Sequence, residues 1–175
     1  IIHKRIAKAK FSIYLASTPS FSEYFAMKVF PYSKDGPSLF YMNEIRFAFL
    51  KHPNIINQIY AEPLRQAHLG TQKIKTSYIL SEYAPYGDFF NLLKNHHILF
   101  EEKFIRTYFC QLVSAVEYLH SNGVAHLDLK LENLLLGFDY QLKVTDFDLS
   151  YLEGDQSINS EGSELYGAPE LISRC

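Results

Sequence analysis

The chain has 175 residues, 47% hydrophobic and 21% charged, enough apolar content to bury a core and too much for a disordered segment. A formal net charge of −2 leaves no whole-molecule field to hold nucleic acid or an anionic membrane, and two cysteines are too few for a disulfide framework. No apolar run approaches the roughly 20 residues that span a bilayer, and the N-terminal stretch lacks a signal peptide's apolar centre, so a soluble cytoplasmic protein is expected, with the nucleus left open.

The first residues, "HKRIAKAK", read as a solvated strand face. The segments "FSIYLAS", "YFAMKVF" and "TSYILSEY" carry the β-branched and aromatic content of strands. Between them "LFYMNEIRFAFLKH" reads as one helix, stopped at His52-Pro53-Asn54. After about residue 83 the texture changes, and "APYGD", Ala84 to Asp88, has the Pro and Gly of a connector. Then "DFFNLLKNH" predicts a short helix. "EEKFIRTYFCQLVSAVEYLHSNG" predicts a long one, with acids in its first turn and an Asn122-Gly123 stop. Cys110 falls in the apolar pattern of that helix and is expected to be a buried thiol. No internal repeat or low-complexity tract is present.

The next stretch, "HLDLKLEN" from His126 to Asn133, alternates leucine with charge or amide. Periodicity alone reads it as a half-buried strand, and the residue types read it equally as a loop that carries chemistry. Eighteen residues after Asp128 comes Asp146 in "LKVTDFDLS", behind a strand-like run "YQLKV". Two carboxylates, the ammonium of Lys130 and the amide of Asn133 would then lie on neighbouring loops. Phosphoryl transfer needs such a set: a carboxylate for the acceptor hydroxyl, a cation for the transferring group and hard oxygen ligands for Mg²⁺.

With these residues in place, the chain resembles a serine/threonine protein kinase catalytic domain over nearly its whole length. His126-Leu127-Asp128 with Lys130 and Asn133 is similar to the catalytic loop, Asp146-Phe147-Asp148 to the metal-binding triplet, and Ala168-Pro169-Glu170 to the end of the activation segment. Upstream, Phe25-Ala26-Met27-Lys28 is similar to the strand with the phosphate-binding lysine, Glu44 to its helix partner, and "SEYAPYGD" to the adenine-binding hinge. Within the family, "AVEYLHSNGVAHLDLKLENLLL" is most similar to the calmodulin-dependent and AMP-activated groups.

The resemblance implies an α+β bilobal fold: a β-rich N-lobe with one main helix over 1–83, and a mostly helical C-lobe over 84–175 without its last helices, as in a truncated domain. The hinge would span about 82–88. It implies ATP and Mg²⁺ as cofactors. Asp128 would orient the acceptor hydroxyl, Lys130 would neutralise the transferring group, and Asn133 and Asp146 would hold the metal. Lys28, paired with Glu44, would hold phosphates. The nucleotide would also meet Ala7, Ala9, Ser12, Ala26, Glu82, Ala84, Asp88 and Leu135, with Ala26 and Leu135 clamping adenine. His126 would pack on Phe147 as core. The substrate would be a protein, with basic residues near the acceptor if Asp88 and Glu132 meet it.

The departures are equally specific. In place of the family's glycine-rich loop stands Ala7-Lys8-Ala9-Lys10-Phe11-Ser12, without a glycine, so β-carbons restrict how closely amides approach phosphate. Leu127 replaces the catalytic-loop arginine, removing the usual anchor for a phosphorylated activation segment, and Asp148 replaces the triplet's glycine. Two functional classes stay open: an active kinase, or a pseudokinase acting as a nucleotide-binding or scaffolding module.

Overall fold

A computed structural model describes residues 1–8, 10–19, 23–69, 72–95, 101–156 and 163–169. The chain forms two compact units, one of residues 1–49 with 57–83 and one of residues 50–56 with 84–175.

The first unit is an antiparallel sheet with one short helix. Its elements are β1 (Ile2–Lys8), β2 (Ser12–Ser17), β3 (Tyr24–Ser33), β4 (Gly36–Pro37), α1 (Leu39–Ile45), β5 (Gln58–Leu69) and β6 (Gln72–Glu82). The strand order is β1-β2-β3-β6-β5, with the two-residue β4 beside β3. The period of two along β3 puts Lys28 and Phe30 on one face, and the register sets Ile79 directly opposite Lys28. On that face Phe30, Ile79 and Tyr41 of α1 form a buried cluster, with Phe11, Phe40, Ile45 and Ala61 packed around it. β1 is exposed along its whole length, in keeping with its basic sequence.

The predicted fourteen-residue helix from Leu39 is shorter in the structure: α1 ends at Ile45. Beyond it, Arg46, Phe47 and Ala48 donate their backbone N–H groups three residues back, to Asn43, Glu44 and Ile45. This tightened turn brings Phe47 and Leu50 into buried positions. The β5 strand, in contrast, was not anticipated, because "QIYAEPLRQAHL" has neither clean alternation nor a β-branched run. Two bulges in its pairing with β6 account for the broken pattern.

The second unit contains α2 (Phe89–Lys94), α3 (Glu102–Ser121), β7 (Val124–Ala125), a 3₁₀ turn at Leu131–Asn133, β8 (Leu134–Leu136), β9 (Leu142–Val144), β10 (Tyr151–Leu152) and a second 3₁₀ turn at Glu164–Tyr166. β7 pairs with β10 and β8 with β9, both antiparallel. Helix α3 buries Ala115 and Leu119 beside β7 and β9, where Val124, Leu142 and Val144 are also buried. It stops where the sequence predicts: Gly123 adopts φ +69, and a β-carbon there would lie 3.1 Å from Glu153.

Two expectations change here. Residues 50–56 were placed in the N-lobe, yet they belong to the second unit. Val144 donates to the Asn54 carbonyl (2.8 Å), Ile56 donates to the Val144 carbonyl (2.9 Å), and the Asn54 amide reaches Leu142 O (3.0 Å). Cys110, expected to be buried, is exposed. It precedes Ala115 by five residues, about 140° round the helix from the buried line. Among the described residues no helix is long and apolar enough to cross a membrane.

Candidate active site

In the first unit the candidate residues Lys28 and Glu44 come together. Phe30 is anchored under Tyr41, so Lys28, two residues earlier on the same face of β3, is carried toward α1. Tyr41 and Glu44 are three residues apart and share a side of that helix. The Lys28 ammonium meets Glu44 Oε2 at 2.6 Å, with only 13% and 8% of the two side chains exposed. The Lys28 Nζ also lies 5.4 Å from the ring centre of Phe11 and 5.2 Å from that of Phe30.

The second unit holds the other cluster, and it answers the ambiguity of "HLDLKLEN": the segment is a loop. Leu127 sits at φ 64, a left-handed conformation in which no strand continues. Asp128 is buried, and each carboxylate oxygen accepts two hydrogen bonds. Lys130 Nζ (2.7 Å) and Asn133 Nδ2 (3.0 Å) donate to Oδ2, while Ser163 Oγ (2.8 Å) and Ser163 N (3.1 Å) donate to Oδ1. Lys130 also donates to Ser163 Oγ, at 2.7 Å. Burial by itself raises the Asp128 pKa. The hydrogen bonds from Lys130 and Ser163 outweigh it and hold the carboxyl below its ordinary value, so it is ionised.

His126 supports this loop from beneath. Its Nδ1 accepts from the Asp128 backbone N–H at 3.3 Å, so the proton must lie on Nε2, which donates to the Thr145 carbonyl at 2.9 Å. The ring packs on Phe147 at 5.0 Å, as the sequence implied. Burial pushes the His126 pKa below its ordinary value, keeping the imidazole neutral. Thr145 N donates to Asn133 O at 3.0 Å, which ties the segment before Asp146 to the loop of Asp128, and Asp146 itself adopts φ 69.

The remaining candidates are distributed as follows. Ala26 is half-buried on β3 between Leu15 and Ser81. Ala7 is exposed on β1, Ser12 opens β2 opposite Val29, and Ala9 lies outside the described residues. Glu82 ends β6 and its carboxylate accepts from Asn57 N at 2.8 Å. Ala84 is buried, and Leu135 is half-buried on β8, bridged to Asp88. Asp88 caps α2, accepting from Asn91 N (2.7 Å) and Asn91 Nδ2 (2.8 Å), so its carboxylate already has a structural role. Ser163 was not among the candidates; its one signal was its place in "GSELYGAPE", just before Ala168-Pro169-Glu170.

The protein kinase domain model matches residues 9–175. The chain belongs to the protein kinase family. Among its curated relatives, a probable serine/threonine-protein kinase MARK-A of Dictyostelium discoideum is 37% identical over 87% of this chain and 14% of its own length. The CBL-interacting protein kinase 11 of rice (Oryza sativa subsp. japonica) is 41% identical over 71% of this chain and 24% of its own. Human NUAK family SNF1-like kinase 1 is 40% identical over 71% and 18%. The chain therefore spans less than a quarter of the length of each of these kinases.

For a kinase, the donor set can be compared with Mg²⁺. Among the described residues no three His, Cys, Asp or Glu side chains gather as a metal cage. Mg²⁺ needs none, since one or two protein oxygens with water and phosphate complete its octahedron. The Asn133 amide nitrogen is engaged by Asp128, donating to its backbone carbonyl (2.8 Å) and its carboxylate. Its Oδ1 is thus the atom left to act as a hard ligand, and Asp146 is the neighbouring carboxylate. These residues fit the ion.

Proposed function

We propose that this kinase chain transfers the γ-phosphoryl group of ATP to serine or threonine hydroxyls of protein substrates. The observation that carries the reading is the seat of Ser163 Oγ, an aliphatic hydroxyl that donates to Asp128 Oδ1 and accepts from Lys130 Nζ. Those are the two contacts an acceptor hydroxyl requires: an ionised carboxylate to receive its proton and a cation beside the oxygen as charge develops.

Mg-ATP, when bound, supplies the transferable group, with the metal offsetting polyphosphate charge. Asn133 and Asp146 would hold the metal and Lys28, oriented by Glu44, would hold phosphate oxygens. Ala26, Glu82, Ala84 and Leu135 would line the adenine. Asp128 would orient the acceptor and take its proton, and Lys130 would neutralise the group in transit. Exposed Glu132 favours a substrate with basic residues near the acceptor. In this reading the lobes are 1–83 and 84–175 apart from the 50–56 segment, and the protein is cytoplasmic.

The glycine-free loop favours the second reading, a pseudokinase that binds nucleotide as a scaffold. One experiment separates them: phosphate transfer to a serine peptide with flanking arginines, beside Mg-ATP binding, for the chain and for Asp128→Asn. The kinase reading expects transfer that falls about 10²- to 10⁴-fold in the variant while nucleotide binding persists. Binding with no transfer above the variant's level selects the scaffold.

A further inference from the structure

A carboxylate and two aromatic rings lie against the Lys28 ammonium. Glu44 Oε2 is 2.6 Å away, the Phe30 ring centre is 5.2 Å away and the Phe11 ring centre is 5.4 Å away. An anion that reaches this nitrogen must displace one of them or squeeze past. Phe30 is fully buried in the cluster with Tyr41 and Ile79, and Glu44 is buried on α1. Phe11 is different. It is half-buried and lies in the bend between β1 and β2, and the neighbouring strand β1 is exposed along its length, so less buried surface opposes its movement than opposes that of Phe30.

Its inward position has defined contacts. The Phe11 ring packs on Phe30 at 4.7 Å and on Phe40 at 5.7 Å, both tilted, a geometry in which aromatic rings attract. Its neighbour Lys10 sets its ammonium 3.3 Å from the Phe40 ring centre, a cation on an aromatic face. Lys10 and Phe11 are therefore each held by side-chain contacts, in the segment where the family has its glycine-rich loop.

We propose that Phe11 is a gate over Lys28, latched by Lys10 on Phe40, and that nucleotide binding requires it to swing away. The inference rests on the reading of Lys28 as a phosphate-binding residue. An autoinhibitory aromatic contact takes the place of the phosphate cradle: while the gate is shut, the Phe11 ring lies against the ammonium, and when it opens that side of the cation is uncovered. A ligand selective for the open state binds with an affinity lowered by the closed fraction, so loosening the gate tightens binding.

The test follows Lys28 itself. The rate at which a small amine-reactive reagent such as acetic anhydride modifies Lys28 is mapped by mass spectrometry, with and without Mg-ATP, for the chain, Phe11→Ala and Lys10→Gln. Buried Lys143 of the other unit serves as the internal reference. The gate predicts that Phe11→Ala labels Lys28 about tenfold faster, the scale of losing two aromatic contacts. Lys10→Gln, which leaves Phe11 in place for folding, labels it a few-fold faster. It also predicts that Mg-ATP protects Lys28 in both variants at lower concentration than in the parent chain. Unchanged labelling in both variants overturns the gate, as does protection at equal or higher ATP concentration. Failure of Mg-ATP to protect Lys28 in any of the three proteins overturns the phosphate reading of Lys28 and the gate with it.

Discussion

His126 is neutral for a reason that can be read off two atoms: Nδ1 must accept from a backbone N–H, and Nε2 must donate to a carbonyl. A proton on Nδ1 would face the Asp128 N–H and lose that bond in a buried site. Its folded pKa is lowered, so below its ordinary value of 6.5 the unfolded chain takes up a proton that the folded chain does not. The His126 contribution to stability is thus complete above pH 6.5 and declines as pH falls below it. Urea unfolding at about pH 7.5 and about pH 5.5 should show a lower midpoint at the acid value, and His126→Gln should flatten that difference. Asp128 has the same direction in a separate window. Its lowered pKa adds stability above the ordinary value of 3.8, and this is lost only as pH falls below that toward the folded value.

At the scale of elements, α3 shows how one helix serves two surfaces. Ala115 and Leu119, one turn apart, are at most 1% exposed, whereas Phe109 and Val113 on another side are 62% and 49% exposed. Truncation should separate the two. Leu119→Ala is expected to cost about 2–5 kcal/mol, from lost transfer energy and the cavity left between α3 and β7, and Val113→Ala to change stability by about 0.5 kcal/mol or less. Denaturant titration of both variants checks this; equal losses would mean that both sides are packed. The start and stop of α3 were legible because acids and an Asn-Gly pair act locally. The end of α1 was not, since no breaker follows Ile45; what ends it is the burial of Phe47 and Leu50.

The molecule as a whole has two cores, and its second unit displays apolar side chains on α3: Phe104, Ile105, Phe109 and Val113 are each 46–62% exposed. Leu112, Val116 and Leu129 line the adjoining groove with Phe109 and Val113. An uncovered face of this kind drives association. Sedimentation velocity on the chain as it stands should show weight-average mass rising with concentration. Phe109→Glu combined with Val113→Lys should suppress the rise, and a concentration-independent monomer would contradict the expectation. The same scale explains the segment 50–56. It follows α1 in sequence yet joins the second unit, through ladder-like bonds of Asn54 and Ile56 to residues nearly ninety positions later.

What the sequence by itself determined was a set of chemical identities in a fixed order: Lys28, Glu44, Asp128, Lys130, Asn133 and Asp146, with the family they imply. Strands of period two and a helix with its own stop signals followed from local chemistry, because backbone preference and amphipathicity act over a few residues. The tertiary structure decided the rest. "HLDLKLEN" satisfies a strand's alternation, and only the turn at Leu127, with Asp128 drawing four hydrogen bonds from Lys130, Asn133 and Ser163, makes it a loop. Ser163 is 35 residues from Asp128 along the chain. Phe11 and Phe40, like Cys110 on its exposed side, take their environment from partners that no short window of sequence contains. Such contacts depend on which distant surfaces meet, and their energies appear only when the chain has closed on itself.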